Sequence, residues 1–339
     1  MMAKKMLALQ LLGEKKAQVA QIDIPAPQKG EVLIKVYASA VCGSEKPDYM
    51  NPRECYTLSG HETVGVVADA NGSDIVKEGD KVALYALYSC GECHWCKMGD
   101  SQFCTSIQGV SNSGHAQYTV CRDTNCIKIK EGISFDDAVL LYGDSMGVAH
   151  RAINACGAKA GDTAYVIGAG PIGLGIIAYL KHLGLRVLVG EPSDYRRELA
   201  YEKLGADAVI NPIKVDMQQF LAERTQGIGP DCVFECSGTS AGELAALSLV
   251  RCKGCVCFAG ENYKGLTIVP SENIIHREVR LTGAFYYSPK DVAEIVKQYD
   301  SGLDISRVVT HKFSISQADE AFHMFMRGET GKVIIHPWD

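Results

Sequence analysis

One segment restricts the possible folds of this chain more than any other. The residues TAYVIGAGPIGLGIIAYLKHLG, from Thr163 to Gly184, have the pattern of an apolar strand, a glycine-rich turn and a helix. Gly168, Gly170 and Gly173 show the spacing G-x-G-x-x-G. In this pattern the first glycine permits a tight turn, the second lets a pyrophosphate approach, and the third allows close helix–strand packing. The segment therefore predicts the first unit of a dinucleotide-binding sheet.

The residues around this turn refine the prediction. Pro171 and Ile172 stand where the helix should begin, and the free N–H groups there favour phosphate. The next apolar run, RVLVGE, ends in Glu191, about 20 residues on, where an acid can bind the adenosine ribose diol. An acid at this position repels a 2′-phosphate and favours NAD over NADP, although Arg196 stands close by. A solvated loop acid is the alternative reading of Glu191.

Further strand-like runs alternate with helical stretches after this unit. They are DAVIN, DCVFECSG, KGCVCFAGE and EVRLTGAF. Such alternation predicts an α/β fold with a doubly wound parallel sheet, covered by helices on both faces. With 339 residues and 47% hydrophobic content, the chain is large enough for a second core as well.

A cysteine-rich loop indicates a metal. In CGECHWCKMGDSQFC, four cysteines have the spacing C-x2-C-x2-C-x7-C. Haem attachment through C-x-x-C-H would leave the last two cysteines unexplained, and the spacing of bacterial iron–sulfur runs is not reproduced. Four unrelated buried thiols would not suit so polar a loop. The pattern favours a closed, structural zinc site held by Cys90, Cys93, Cys96 and Cys104.

Composition narrows the location and the partners. The net charge is -6 and no basic run exceeds a pair, which argues against nucleic acid or an anionic membrane as partner. No apolar stretch is long enough to span a bilayer. The beginning, MMAKKMLALQLLGEKK, lacks a cleavage site and is interpreted as an edge strand. Fourteen cysteines without an export signal then suggest buried thiols and metal ligands in a cytoplasmic protein.

A second metal site is suggested by residues that are distant in sequence. The strand-like run EVLIKVYASA is followed by Cys42, and His61 and Glu62 precede another apolar strand. A catalytic zinc takes three protein ligands and keeps one position open. One thiolate and one imidazole at strand ends could supply two of them. Either residue alone is weak evidence, because most single cysteines and histidines only pack.

These motifs together resemble the zinc-containing medium-chain dehydrogenases. The matching features are VCGSE, GHE, the loop with four cysteines, GAGPIG and the closing GKVIIHP, and they extend over essentially the whole chain. The pattern is most similar to the polyol and sugar-alcohol branch, which includes sorbitol and threonine dehydrogenases. The resemblance implies a GroES-like β-barrel catalytic domain, residues 1–152 and 287–339, with a structural zinc lobe at about 88–106. It also implies a Rossmann NAD-binding domain, residues 153–286, and a homo-oligomer, dimer or tetramer.

The resemblance also implies a third ligand of the catalytic zinc, shortly before the Rossmann domain. In LLYGDSMGVAHRAI, Asp144 is the only carboxylate, although the usual family spacing would place the ligand at Gly143. His150 is a substitute, and Glu62 a further candidate, because the acid after the zinc histidine can approach the metal in the polyol enzymes. A helix N-cap is the alternative role of Asp144.

The resemblance finally implies a reaction. Cys42, His61 and a carboxylate would leave zinc formally near neutral, so that it can acidify a bound hydroxyl. Ser44 matches the family hydroxyl that takes the alcohol proton, whereas Pro47 replaces the histidine that usually passes it on.

The predicted activity is a zinc-dependent oxidoreductase with two zinc ions per chain. It transfers hydride from a secondary hydroxyl of a polyol or sugar-derived alcohol to NAD. The charged loop after Cys42, with Glu45, Lys46, Tyr49 and Arg53, suits a hydroxyl-rich substrate or is merely solvated. The alternatives are an NADP(H)-linked carbonyl reductase of the same fold and a catalytically inactive zinc- and NAD-binding protein.

Overall fold

The computed structural model describes residues 4–339, which divide into two compact units. The first unit contains the chain up to Gly143, together with Ser288–Ala293 and Val309–Asp339. The second contains Asp144–Tyr287 and Glu294–Val308. Among residues 4–339, no helix has both the length and the apolar character that a membrane span requires.

The predicted domain borders at residues 152 and 287 lie near these divisions without coinciding with them. The helix Asp144–Cys156 falls wholly in the second unit, and so does the later segment Glu294–Val308. The borders of independently folding domains therefore stay a prediction, whereas the compact units are as given above.

Strands are the main regular elements of residues 4–143. The strands are β1 (Lys5–Gly13), β2 (Lys16–Asp23), β3 (Glu31–Ala40), β4 (Thr57–Leu58), β5 (Glu62–Asp69), β6 (Lys81–Leu84), β7 (Tyr118–Arg122) and β8 (Cys126–Lys128). Three short helices accompany them, α1 (Lys46–Met50), α2 (His94–Lys97) and α3 (Phe135–Leu141).

The remaining chain alternates between helices and strands. The elements up to Gly283 are α4 (Asp144–Cys156), β9 (Thr163–Ile167), α5 (Pro171–His182), β10 (Arg186–Gly190), α6 (Asp194–Glu198), β11 (Ala208–Ile210), α7 (Met217–Thr225), β12 (Cys232–Glu235), α8 (Ser240–Leu249), β13 (Cys255–Phe258), α9 (Pro270–Asn273) and β14 (Arg280–Gly283). The last elements are α10 (Val292–Asp300), β15 (Val309–Ser314), α11 (Ala318–Arg327) and β16 (Lys332–His336).

The second unit is built on a six-stranded parallel sheet. Its strand order is β11-β10-β9-β12-β13-β14, and every neighbouring pair is parallel. Numbered from β9, this is the order 3-2-1-4-5-6 of the doubly wound dinucleotide fold. Tyr165, Val233 and Val256 lie in one buried cluster with residues of the covering helices. Because both faces of the sheet are covered, its strands are apolar runs rather than alternating ones.

The first unit contains a seven-stranded sheet whose register determines where the candidate site forms. Its order is β15-β16-β3-β5-β6-β8, and β7 also pairs with β3. Ala40, the last residue of β3, is opposite both Glu62 of β5 and Ile334 of β16 in the two antiparallel ladders. The end of β3 therefore lies beside the start of β5 and the middle of β16, at one end of these three neighbouring strands.

The N-terminal segment forms a strand, but the prediction of an edge strand is wrong. β1 lies between β2 and β4 in a three-stranded sheet. Leu9 and Leu11 of β1 are fully buried in a cluster with Phe322 and Val333. The mostly apolar run near the start of the described chain therefore forms the middle strand of a small sheet.

Candidate metal centres and dinucleotide loop

The first candidate centre is the four-cysteine loop, defined by Cys90, Cys93, Cys96 and Cys104. The four Sγ atoms all lie within 4.8 Å of one another. Three of the Sγ–Sγ distances are 3.5, 3.5 and 3.9 Å. A tetrahedral zinc with Zn–S bonds of about 2.3 Å requires sulfurs about 3.8 Å apart. The residues therefore fit zinc, and four thiolates leave it no open position.

Backbone N–H groups of the loop favour thiolates at two of the four positions. Those of Cys96 and Thr105 lower the pKa of Cys93 to about 6. Those of Glu92 and Cys93 lower the pKa of Cys90, whereas burial raises the pKa of Cys96 to about 11. Since only the thiolate binds zinc, the loop itself supplies part of the free energy of deprotonation.

The second candidate centre is the mixed-ligand cluster, defined by Cys42, His61, Glu62 and Asp144. One ligand atom from each lies within 4.8 Å of all the others. Cys42 follows β3 and His61 precedes β5, and the pairing of Ala40 with Glu62 brings these two strand ends together. A soft thiolate, an imidazole and carboxylates are a donor set that suits zinc.

The neighbourhood of Gly143 bears on the choice of the third ligand. A Cβ at Gly143 would lie 2.3 Å from the carbonyl oxygen of Val139 and 3.1 Å from Oε2 of Glu62. No side chain fits there, and the chain offers the carboxylate of Asp144 one residue later. His150 is not part of the cluster, because its ring nitrogens contact Tyr179 Oη at 3.1 Å and Asn154 Nδ2 at 2.9 Å.

A buried ion pair adjoins the mixed-ligand cluster. The ammonium of Lys332, at the start of β16, donates a hydrogen bond to Oε1 of Glu62. The exposed fractions of the two side chains are 0% and 1%. Removing both charges from water is costly, so each requires the other. Since Lys332 offsets the charge of Glu62, a divalent ion held by Cys42 and Asp144 would be left formally neutral.

A second buried carboxylate, Glu45, connects the two turns that carry Cys42 and His61. Its Oε2 accepts a hydrogen bond from Cys42 N at 2.8 Å, and its Oε1 accepts one from Gly60 N at 2.9 Å. Burial raises the pKa of Glu45, but His115, His61 and the Cys42 N–H outweigh this effect and lower it to about 2. Glu45 is therefore ionised and has a structural role.

The loop after Cys42 is only partly available to a substrate. Glu45 and Tyr49, predicted to face a hydroxyl-rich substrate or solvent, are buried. Lys46 and Arg53 are exposed, and Arg53 is paired with Asp48. Ser44 is exposed in the 3₁₀ turn Gly43–Glu45, directly after the turn residue Cys42. Its hydroxyl is thus accessible to solvent, two residues after Cys42 of the mixed-ligand cluster.

The glycine-rich turn of the second unit has the shape of a phosphate cradle. Gly168 has φ +91°, which favours glycine, and a Cβ on Gly173 would lie 2.0 Å from Gly168 O. A Cβ on Gly170 would meet only Arg196 Nη1, at 3.9 Å. The turn leads into α5 at Pro171, so the free N–H groups of the helix border this open space. The residues fit a dinucleotide pyrophosphate.

Glu191 lies where the fingerprint requires it, directly after β10. Its exposed fraction is 6%, and its carboxylate oxygens accept hydrogen bonds from Ala169 N at 2.7 Å and Ser193 N at 2.8 Å. Each oxygen keeps a further lone pair that a ribose hydroxyl could use. Burial lowers the pKa of the nearby Arg196, and the charge of Glu191 acts in the opposite direction.

Comparison with known proteins decides the family. Residues 28–131 match the model of the alcohol dehydrogenase GroES-like domain, and residues 171–301 match that of the zinc-binding dehydrogenases. A sorbitol dehydrogenase of Halalkalibacterium halodurans is 30% identical, and the alignment covers 93% of this chain and 94% of that protein. An L-threonine 3-dehydrogenase of Pyrococcus furiosus is 33% identical over 98% of this chain and 99% of its own. The chain belongs to the zinc-containing medium-chain dehydrogenases.

Solved structures of proteins described as dehydrogenases have the same architecture. One from Escherichia coli, described as a short chain alcohol dehydrogenase complexed with the cofactor NADH, has a TM-score of 0.87 at 25% identity. The alignment covers 98% of this chain and 99% of that one. The predicted family, its sorbitol and threonine dehydrogenase-like branch and the fold class are therefore confirmed. The chain is a member of the zinc-binding alcohol and polyol dehydrogenase family.

Three residues beside the mixed-ligand cluster of this dehydrogenase were not predicted from the sequence. Lys332 was included in the closing motif GKVIIHP without a role, although a lysine that opens an apolar strand is a visible signal. Glu45 was assigned to the charged loop after Cys42, which was predicted to face a hydroxyl-rich substrate or solvent. His115 had no partner that the sequence revealed, because its contacts with Ser39 and Glu45 are long-range.

Proposed function

We propose that this chain is a zinc-dependent dehydrogenase that oxidises a secondary hydroxyl of a polyol or sugar-derived alcohol, with NAD as hydride acceptor. The observation that carries the proposal is the convergence of Cys42, His61, Glu62 and Asp144 within 4.8 Å. One thiolate, one imidazole and a carboxylate are the donor types of catalytic zinc sites, which keep a position open. The four-cysteine loop would hold the second, structural ion.

The residues of the mixed-ligand cluster and their neighbours would have distinct roles at the substrate hydroxyl. Cys42, His61 and Asp144 would hold the ion, with Glu62 beside it and Lys332 balancing the charge of Glu62. When bound, zinc lowers the pKa of a hydroxyl placed against it, and the dinucleotide accepts the hydride. Ser44, two residues after Cys42, would accept the substrate proton on Oγ and release its own hydroxyl proton to solvent, to which it is exposed. Pro47 has no group that could pass the proton on.

The cofactor would be held by the glycine-rich turn and by Glu191. Gly168, Gly170 and Gly173 shape the cradle, and the turn into α5 at Pro171 and Ile172 borders the pyrophosphate. The buried carboxylate of Glu191 supports NAD, since a 2′-phosphate would meet its charge. One observation favours NADP instead, namely that Arg196 Nη1 lies 3.9 Å from the Cβ position at Gly170.

The substrate class is inferred from the relatives. The names sorbitol dehydrogenase and L-threonine 3-dehydrogenase describe oxidation of hydroxyl-bearing, polar molecules. An exposed Lys46 beside the accessible Ser44 is compatible with such a substrate. We also propose a homo-oligomer, which light scattering of the purified protein tests directly.

The function is tested by zinc analysis and by a substrate panel. Two zinc ions per chain and reduction of NAD by sugar alcohols are expected, with slower reduction of NADP. One zinc ion and no turnover would favour the inactive binding protein. For the cofactor, Glu191→Ala is expected to reduce the ratio of kcat/KM for NAD to kcat/KM for NADP. An unchanged preference would contradict the role given to Glu191.

A further inference from the structure

His115 is a buried histidine with side-chain contacts on both ring nitrogens. Its exposed fraction is 1%, and Nε2 lies 3.1 Å from Oε1 of Glu45. Nδ1 is hydrogen-bonded to Oγ of Ser39, which is also fully buried. An imidazole with a proton on Nε2 and none on Nδ1 satisfies both contacts, because it donates to Glu45 and accepts from the Ser39 hydroxyl. Such a satisfied buried network fixes its members firmly.

The backbone of His115 is attached to the turn that carries His61. His115 N donates to Ser59 O at 2.9 Å, and Gly114 N donates to Gly60 O at 2.8 Å. Gly60 has φ +102°, and a Cβ there would lie 2.5 Å from His115 N. The two backbone segments thus approach as closely as glycine permits. A displacement of His115 would therefore be transmitted to the residue before His61.

Glu45 extends this attachment to the other metal-bearing turn. Its two oxygens accept hydrogen bonds from Cys42 N and Gly60 N, so one carboxylate joins the neighbours of both ligands. With an exposed fraction of 3%, Glu45 depends on these partners and on His115 to remain buried. Without His115 the buried carboxylate would lose its imidazole partner, which favours a rearrangement of the turn.

We infer that His115 is a positioning residue for the mixed-ligand cluster, holding Glu45 so that Cys42 and His61 stay at metal-binding separation. The inference rests on the proposed zinc at this cluster. Residues that support metal ligands through hydrogen bonds, without binding the metal themselves, contribute about 10- to 100-fold to metal affinity. Removal of the imidazole should therefore weaken zinc binding at the mixed-ligand cluster by about this factor. The four-cysteine loop shares no residue with the network and should keep its zinc.

The experiment measures zinc retention in the whole chain. Zinc-loaded wild type and His115→Phe are dialysed against increasing concentrations of dipicolinate, and zinc per chain is determined by elemental mass spectrometry. Phenylalanine keeps the ring that packs on Phe322, at a centroid distance of 5.9 Å, and removes both hydrogen bonds. Cys42→Ser provides the release curve of the four-cysteine loop alone. His323→Phe is the matched control, because it removes a half-exposed histidine of the same unit.

The expected result is that His115→Phe releases one of two zinc ions at about 10- to 100-fold lower chelator concentration. His323→Phe should follow the wild type, and His115→Gln, which keeps a donor toward Glu45, should recover much of the retention. Identical curves for wild type and His115→Phe, or joint release of both ions, would overturn the inference. A wild type with only one zinc ion would instead contradict the proposed function.

A second variant covers the case in which His115→Phe does not fold. Ser39→Ala removes a single hydroxyl and leaves the imidazole in place. It is expected to weaken retention at the mixed-ligand cluster about three- to tenfold, less than loss of the whole network. Unchanged retention in a folded Ser39→Ala protein, as judged by circular dichroism, would then count against the positioning role.

Discussion

The four-cysteine loop and the mixed-ligand cluster present four donors each at similar spacing, but they are assembled in opposite ways. The four-cysteine loop takes its ligands from 15 consecutive residues, and its own N–H groups favour thiolates. The mixed-ligand cluster takes Cys42 and Glu62 from the adjoining ends of two paired strands, and its neighbour Lys332 lies 270 residues beyond Glu62. The first is a local structure, whereas the second exists only when the sheet is complete.

The two centres also differ in charge. Four thiolates would leave zinc with a formal charge of about -2, which makes it a poor electrophile. At the mixed-ligand cluster, Lys332 offsets Glu62 within a fully buried pair, so zinc would remain near neutral. If both centres hold zinc, surrounding residues as well as the donor atoms would suit one ion to stability and the other to chemistry.

The largest expected effect concerns the loss of a ligand at the mixed-ligand cluster. Cys42→Ser should lower kcat/KM by at least about a thousandfold, because electrophilic stabilisation by a metal amounts to several kcal/mol. The melting temperature should change little. Cys55→Ser, which alters an exposed thiol of the same unit, is the matched control. A kcat/KM of Cys42→Ser within tenfold of wild type would contradict a catalytic role for a metal at the mixed-ligand cluster.

The next effect tests the charge balance. Lys332→Met leaves Glu62 as an uncompensated buried charge and should destabilise the protein by about 3–5 kcal/mol in denaturant titrations. The double variant Glu62→Gln/Lys332→Met should recover a large part of this loss. Equal stability of the single variant and the wild type would mean that Lys332 does not balance Glu62.

Loss of a ligand in the four-cysteine loop should have the opposite pattern to Cys42→Ser. Cys96→Ser opens the closed site, and we expect the melting temperature to fall by roughly 5–10 °C. Below that temperature, kcat/KM per folded molecule should remain within about threefold of wild type, since no reacting group is involved. An effect on activity as large as that of Cys42→Ser would erase the distinction between the centres.

The smallest effect comes from an ion pair that belongs to neither centre. Asp136 raises the pKa of His336, and His336 in turn lowers the pKa of Asp136 to about 2, at a distance of 2.7 Å. Below the ordinary histidine value of 6.5 the contribution of His336 is complete, and it is lost as pH rises through the raised pKa. The contribution of Asp136 is present above 3.8 and is lost as pH falls toward 2.

The ion pair of Asp136 and His336 gives a pH dependence of stability that should not depend on zinc, and it therefore serves as a reference for the two metal centres. Between about pH 6 and 9, wild type should lose unfolding free energy relative to His336→Gln, because the stabilisation by protonated His336 is lost as pH rises. Chemical denaturation with and without zinc measures the difference. The same loss is expected in Cys42→Ser, because that variant does not touch the pair. A loss that depends on zinc would show that the reference is coupled to a metal centre.

The predictability of these features follows their distance along the chain. The strand, turn and helix around Gly168 and the ligands of the four-cysteine loop were predictable because short-range spacing carries their geometry. Cys42 and His61 were suggested as partners by their positions at strand ends, and the resemblance supplied the third ligand of the predicted site. The contacts of Lys332 and His115 could not be predicted, because they depend on strand register across 270 and 70 residues. β1 was misplaced for the same reason, since its partner β4 follows it by 44 residues or more.

The way the segment Ser288–Ala293 is held has a consequence for engineering. Ser288 donates a hydrogen bond to the carbonyl of Gly99, and Lys290 pairs with Asp100 at 2.8 Å, both within the four-cysteine loop. The second unit is therefore not one continuous stretch of chain. A chimera whose transplanted segment ends at Tyr287 lacks Glu294–Val308. A segment that continues to Val308 also carries Ser288–Ala293, whose hydrogen-bond partners Gly99 and Asp100 stay in the protein of origin. Chimeras between relatives should keep this hexapeptide and the zinc lobe from the same parent.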